Sequence, residues 1–315
     1  MNKIILDKDR EINIKPCVAT IGFFDGVHKG HQYLIKRVIE EADISGMEST
    51  VITFDKHPRQ VLHSDYIPEL LSTTDEKLIM LARTNVDNTV LIHFNEETAS
   101  LSAFDFMKNI LHDKLNVKKL IIGYDNRFGH NRTEGFDDYV NYGQRLGIEV
   151  IHNHAYMING VNVSSSVVRT FIKDGEMEMA EECLGYPYSI MGRVVTGQQN
   201  GRKIGFPTAN IDTSEWGQLI PAPGVYAVKV RLNKSVAWHP AMMDIGTRPT
   251  FDGKGISLEV NIFNFENNIY GEPIQVSFIH RIREEQKFSS PNALAKQLEK
   301  DKDMVIKQFY KDNEE

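Results

Sequence analysis

The sequence predicts a two-part chain: an N-terminal α/β domain built on a parallel sheet, then a small antiparallel β-barrel closed by a C-terminal helix. Three observations carry this reading. At 315 residues the chain exceeds one ordinary core. Its first half alternates short apolar runs with helical spacing, while its second half strings strand-like runs together through glycine-bearing turns. The change falls at Gly185-Tyr186-Pro187, which sets the expected domains at 1–185 and 186–315.

Val18–Phe23 is a short apolar strand, followed by a glycine-rich turn and a helix with Leu34, Ile35, Val38, Ile39 and Ala42 on one face. Thr50–Phe54 reads as the second strand, Leu78, Ile79, Leu81 and Ala82 as a helix face, and Val90–Phe94 as the third strand. Ser102 with Asp105 resembles a capping box ahead of a helix through Met107, Ile110, Leu111 and Leu115. Lys119–Gly123 and Glu149–His152 supply strands four and five, on either side of a helix at Phe136–Leu146. Strands alternating with helices imply crossovers on both faces of a parallel sheet, with ligands at the carboxyl ends of the strands. A helical pair between Val167 and Leu184 bridges to the second part. There Ser189–Gly197, Gly224–Leu232, Ala237–Ile245, Ser257–Phe265 and Pro273–His280 are strand-like. Asn292–Tyr310 is the terminal helix, through Leu294, Leu298, Val305 and Phe309.

Composition narrows the function. With 41% hydrophobic and 25% charged residues the chain is globular, and apolar runs such as Cys17–Phe24 are too short to span a bilayer. The segment from Met1 lacks the apolar core of a secretory signal, and two cysteines, Cys17 and Cys183, fit a reducing cytoplasm. A formal charge of −7 argues against broad nucleic-acid binding, so any phosphate must be held by local groups.

Gly22-Phe-Phe-Asp-Gly-Val-His-Lys-Gly-His31 sits where the first strand ends and the first helix begins. Unpaired N–H groups and a partial positive charge make a helix start a phosphate seat, and Gly22, Gly26 and Gly30 permit close approach. His28 and His31, three apart, point the same way and can donate to charge that builds up during transfer. A lone His-x-x-His is commonly incidental, and as a metal pair it lacks an obvious third ligand. Its place between strand and helix, among glycines, favours the functional reading. Neither the P-loop pattern nor the dinucleotide glycine fingerprint is present.

In the second half, Gly192–Gly205 runs into Phe206-Pro-Thr-Ala-Asn-Ile211. Glycines at 197, 201 and 205 provide a flap for phosphates, with Arg202 and Lys203 supplying charge. Thr208 and Asn210 alternate along an extended stretch and offer oxygen ligands suited to Mg²⁺. Glu259 shares a strand face with Asn261 and Phe263, opposite Leu258, Val260 and Ile262, and can accept the proton of a hydroxyl being phosphorylated. The plainer readings are a solvated hairpin, a turn cap and an exposed strand carboxylate.

Gly22–His31 resembles the HxGH motif of the nucleotidyltransferase superfamily, a Rossmann-like α/β fold. Its long form is similar to that of the bacterial bifunctional riboflavin kinase/FMN adenylyltransferase family. Thr53-Phe-Asp-Lys-His-Pro58, Gly123-Tyr-Asp-Asn-Arg-Phe-Gly129 and Ser164-Ser-Ser-Val-Val-Arg169 follow in the family's order. The last has Ser166 and Val168 where the family signature has Thr and Ile. The flap, Pro207–Asn210, Gly224-Val-Tyr-Ala227, Ile245-Gly-Thr-Arg-Pro-Thr250, Glu259 and Arg283-x-Glu285-x-Lys287-Phe288 resemble the family's riboflavin kinase module. The resemblance implies phosphorylation of riboflavin to FMN and adenylylation of FMN to FAD, with ATP as co-substrate and Mg²⁺ as cofactor. It implies that His28 and His31 hold ATP phosphates, with Gly22, Phe23, Asp25 and Gly30 around them. Ser164, Ser165 and Arg169 contact the nucleotide from the opposite side, and Asp125, Asn126 and Arg127 line the flavin-phosphate region. In the kinase half, Gly197, Gly201 and Lys203 cover ATP, Thr208 and Asn210 bind Mg²⁺–ATP, Glu259 is the general base, and Arg283 lies near the flavin. Asn261 and Asn264 depart from the family's His and Asp, which reads as tuning of the kinase.

Two alternatives stand beside this expectation. One module could be a flavin-binding or regulatory remnant with only the other active. Class I aminoacyl-tRNA synthetases share the HxGH signature, but the acidic charge and the lack of a recognisable anticodon-binding extension count against an RNA module. The expected partners are small molecules, with no nucleic acid and no membrane, and the expected state is a monomer or weak oligomer.

Overall fold

Six parallel strands form the sheet of the first half in the computed structural model of the chain: β1 (Asn2–Leu6), β2 (Cys17–Ile21), β3 (Glu48–Phe54), β4 (Asn88–Ile92), β5 (Val117–Ile122) and β6 (Glu149–His152). Their order is β1-β4-β3-β2-β5-β6. The structure describes residues 1–6, 14–62, 65, 68–130, 133–197, 200–232, 235–250 and 253–311. Strands β2 and β4 are buried at every position, because helices cover both faces of the sheet, and so they read as continuous apolar runs. β1 is an edge strand with mostly exposed side chains, and its apolar run, Ile4–Leu6, is too short for the sequence to announce it.

The helices are α1 (Lys29–Ser45), α2 (Pro58–Leu62), α3 (Thr74–Ala82), α4 (Glu96–Ser100), α5 (Ala103–Phe106) and α6 (Phe136–Leu146). α1 presents Leu34, Ile35, Val38 and Ala42 to one face of the sheet, against Val18 and Val51. On the other face Met107, Leu111, Leu115 and Tyr139 pack against Ile21 and Ile52. α1 stops at Gly46, whose φ of 61° suits a residue without a side chain. α3 starts at a capping box: Thr73 accepts from the Glu76 backbone and the Glu76 carboxylate accepts from Thr73 N at 2.9 Å. Ser102 caps α5 by accepting from Asp105 N at 3.0 Å. The hairpin β7 (Met157–Ile158) and β8 (Val161–Asn162) precedes α7 (Ser165–Asp174).

In the second half, α8 (Met177–Leu184) leads to β9 (Ser189–Val195), α9 (Asn200–Lys203), β10 (Ala209–Asp212), β11 (Gly224–Leu232), β12 (His239–Thr250), β13 (Gly253–Ile262), β14 (Pro273–Arg283) and α10 (Pro291–Lys311). The six strands close in the order β10-β13-β12-β11-β14-β9, with antiparallel pairing throughout. α10 lays Val305 and Phe309 on Ala227, Met242 and Phe263. β12 and β13 run further than the alternation suggests, pairing as far as Thr250 with Gly253.

The chain divides into two compact units, Met1–Pro68 with Ser72–Ser165, and Glu69–Leu71 with Ser166–Glu315. The expected boundary at 185/186 is where helix gives way to barrel strand, while compactness separates the chain at the start of α7. Among the described residues no helix is long and apolar enough to cross a membrane.

Candidate active sites

The turn between β2 and α1 is held in a costly shape. Phe24 (φ 55°) and Val27 (φ 36°) both have left-handed backbone, rare for a buried aromatic and rarer for a β-branched residue. Such strain persists only where the surroundings over-determine it. Gly26 N donates to Ser72 Oγ at 3.0 Å, Ser72 N donates to Asp25 Oδ1 at 3.2 Å, and Ser165 Oγ donates to the Asp25 carbonyl at 3.1 Å. Gln32 Nε2 donates to the Val27 carbonyl at 2.8 Å. Asp25 is thus buried and turned toward Ser72.

This turn delivers the two histidines. His28 is the N-cap of α1, its Nδ1 accepting from His31 N at 3.3 Å. The two rings stack with centroids 3.6 Å apart and 19° between planes, and Phe24 meets His31 edge-on at 5.1 Å. Gly30 lets the first turn of α1 approach the backbone just before Ser164, since a Cβ there would lie 2.8 Å from the Val163 carbonyl. His31 has its basicity pushed well below the usual imidazole range by burial, then by His28 and Lys77. It is therefore neutral at pH 7, and its enclosed Nδ1 has no hydrogen-bond partner among the described residues. An orphaned buried polar atom in the first turn of a helix is a group that a ligand would satisfy.

Around the histidines, Phe23 is half-buried, with His57 edge-on at 4.8 Å. Gly22 N donates to the Ile52 carbonyl at 3.0 Å. Asn126 donates its side-chain amide to the Ile21 carbonyl, at the carboxyl end of β2, while Asp125 and Arg127 are exposed in the same loop. Ser164 and Ser165 belong to this unit, whereas Arg169 lies in the second, its Nε donating to the Glu69 carbonyl at 2.8 Å.

The second site lies on the barrel. Register places Glu259 of β13 opposite Asn210 of β10 on one side and Asp244 of β12 on the other. Thr208 Oγ1 donates to Glu259 Oε2 at 2.9 Å, and Asn261 Nδ2 donates to the Pro207 carbonyl at 2.6 Å. Asn261 therefore fixes the segment that carries Thr208, a role the sequence does not reveal. Asn264 adopts φ 53°, a left-handed turn in which asparagine is favoured. Gly197 packs against the Asn210 amide and Gly201 against the Phe206 carbonyl, with no space for a Cβ at either. The Lys203 side chain lies outside the described residues.

Glu259, Thr208, Asn261 and Arg283 line a cavity of about 710 Å³ whose apolar wall includes Phe206, Met243 and Leu298. A second cavity, about 480 Å³, is lined by Arg202, Pro207, Thr208 and Tyr270, so Thr208 faces both. Arg283 reaches Asp301 of α10, with Nε and Nη2 at 3.0 and 2.8 Å from Oδ2, and Gln297 Nε2 donates to Oδ1 at 2.9 Å. Asp301 is fully buried, and its place one turn after Gln297 gives no hint of it in the sequence.

A family model described as FAD synthetase matches residues 10–167, and one described as riboflavin kinase matches residues 184–309. A protein of Haemophilus influenzae named bifunctional riboflavin kinase/FMN adenylyltransferase is 37% identical over 288 residues, covering 91% of this chain and 92% of that one. A protein of the same name from Escherichia coli K12 is 37% identical over 294 residues, 93% of each chain. A crystal structure described as a macrolide-efflux protein from Streptococcus pneumoniae superposes with a TM-score of 0.83 at 32% identity, covering 96% of this chain and 98% of that one. Each half matches its own model, which disfavours a remnant in either place. On these matches, the chain belongs to the bifunctional riboflavin kinase/FMN adenylyltransferase family.

Proposed function

We propose that this chain phosphorylates riboflavin to FMN at the barrel (186–315) and adenylylates FMN to FAD, releasing pyrophosphate, at the parallel-sheet domain (1–185). The observation that carries the reading is the presence of two unlike polar arrangements in one chain, each suited to phosphates: stacked imidazoles in the turn after β2, and a Thr208–Glu259 pair at a cavity wall.

In the kinase, Glu259 takes the proton of the riboflavin 5′-hydroxyl as the hydroxyl oxygen attacks the γ-phosphorus of ATP. Thr208, facing both cavities, is suited to lie where the phosphoryl group crosses. Arg283 and the apolar wall hold the flavin side, and Gly197, Gly201 and Lys203 cover the nucleotide. The oxygens of Thr208 and Asn210 beside a carboxylate fit a hard cation. Thr208 and Asn210 would hold Mg²⁺, which supplies charge neutralisation on the triphosphate when bound.

For adenylyl transfer, the FMN phosphate is already anionic and needs no base to become the nucleophile. His28, His31, Gly22, Phe23, Asp25 and Gly30 form the loop that receives the ATP phosphates, with Asp25 acting as its internal clamp. Ser164 and Ser165 complete the nucleotide contacts within this unit, and Asp125, Asn126 and Arg127 the flavin-phosphate side. His28 and His31 donate hydrogen bonds to the pyrophosphate as charge accumulates on it. The partners are small molecules, not nucleic acid or membrane, and the enzyme acts as a monomer or weak oligomer. Its two cysteines, Cys17 and Cys183, are both buried as thiols, which suits the cytoplasm.

Incubation with riboflavin, ATP and Mg²⁺, resolved by chromatography, tests the reading. FMN followed by FAD is the expected result; absence of either product overturns it.

A further inference from the structure

We propose that Lys77 is a positioning residue for adenylyl transfer, its buried ammonium tying the Phe23 carbonyl, and with it the turn that presents His28 and His31, to the carboxyl end of β3. The inference rests on the assignment of that turn to adenylyl transfer.

Lys77 lies on α3 and is only 2% exposed. Its Nζ donates to the Phe23 carbonyl at 3.1 Å and to the Phe54 carbonyl at 2.7 Å, and sits 4.1 Å from the centroid of the Phe23 ring. Thr53 Oγ1 donates to the same Phe23 carbonyl at 3.1 Å. Two donors from two elements thus converge on one carbonyl, immediately before the left-handed Phe24. Removing an ammonium from water costs several kcal/mol unless it is compensated. The groups that face it are Asp25 of the turn, Asp55 after β3 and His31 of α1. Burial brings the Lys77 pKa down to about 8, against the opposing pull of Asp25 and Asp55.

An apolar side chain would anchor α3 in the core without that cost. What the ammonium adds is charge and direction. It meets the negative end of the Phe23 carbonyl beside Thr53, and it helps keep His31 uncharged.

The test compares Lys77→Met and Lys77→Arg for FAD formation from FMN and ATP, with riboflavin phosphorylation and circular dichroism as folding controls. The Met variant should lose about 10²-fold in kcat, the scale of a small misplacement of reacting groups, with a much smaller change in KM. Arg should restore most of that loss. The wild-type rate should fall as pH rises through about 8, where the ammonium loses its proton. Lys77→Arg, which stays charged, should not show that limb. A Met variant with unchanged kcat overturns the proposal, as does an Arg variant no better than Met, or a limb near pH 8 that persists in Lys77→Arg. If the Met variant does not fold, the Arg profile decides. His31→Ala measured in parallel separates the two levels. If it keeps FAD formation, the site assignment itself fails; if it loses FAD formation while Lys77→Met keeps it, only the Lys77 role fails.

Discussion

Thr208, just before β10, and Glu259 of β13, fifty-one residues apart in sequence, meet through a 2.9 Å hydrogen bond from hydroxyl to carboxylate. The contact keeps the proposed base beside the proposed metal ligand before any substrate arrives. Glu259→Gln preserves volume and an acceptor for Thr208 but removes the proton acceptor. FMN formation should fall by about 10²–10⁴-fold while FAD formation from supplied FMN stays near wild type. Product chromatography with each starting flavin checks this; equal loss of both products from a folded variant would contradict two separate sites.

The reciprocal variant is His31→Ala. FAD formation should drop by about 10²–10³-fold, the range for removing one donor to developing charge, with riboflavin phosphorylation retained. Steady-state kinetics of both half-reactions measure the split.

Asn261→Ala removes the 2.6 Å bond to the Pro207 carbonyl and leaves that carbonyl without its amide donor. A cost of about 1–3 kcal/mol in stability is expected. A fall in FMN formation should accompany it, because Thr208 follows Pro207. Urea unfolding and kinase assays together report both effects.

Asp301→Ala leaves the Arg283 guanidinium without its carboxylate partner. Arg283 has a side chain only 13% exposed, so breaking the pair should destabilise the barrel by about 3–5 kcal/mol. Leu294 and Leu298, on the same helix, line the large cavity, so the KM for riboflavin should rise.

Cys17 is fully buried, and burial pushes its thiol up to about 11. It should resist a thiol reagent at pH 8 in the folded protein and react once denatured, as a colorimetric count of thiols would record.

Much of the architecture was legible because burial on both faces leaves apolar runs, as in Val18–Ile21, and because α1 carries a clear apolar stripe. The failures have physical causes. On α3 the apolar pattern points to Ile79, yet Ile79 is 55% exposed and Lys77 is inside. Two main-chain carbonyls outweigh hydrophobicity there, and pattern-reading has no access to them. Asp301 escaped notice for the same reason, since its partner lies eighteen residues upstream on a strand. The HxGH loop was legible as a motif, but its scaffolding by Ser72 and Asn126 depends on residues brought in from distant loops.

One nitrogen of His28 is already committed. Because Nδ1 accepts the amide proton of His31, an uncharged ring at this position carries its proton on Nε2. Helix start and tautomer are one structural fact, so the imidazole ¹⁵N chemical shifts of this side chain become a built-in gauge of whether the loop is intact.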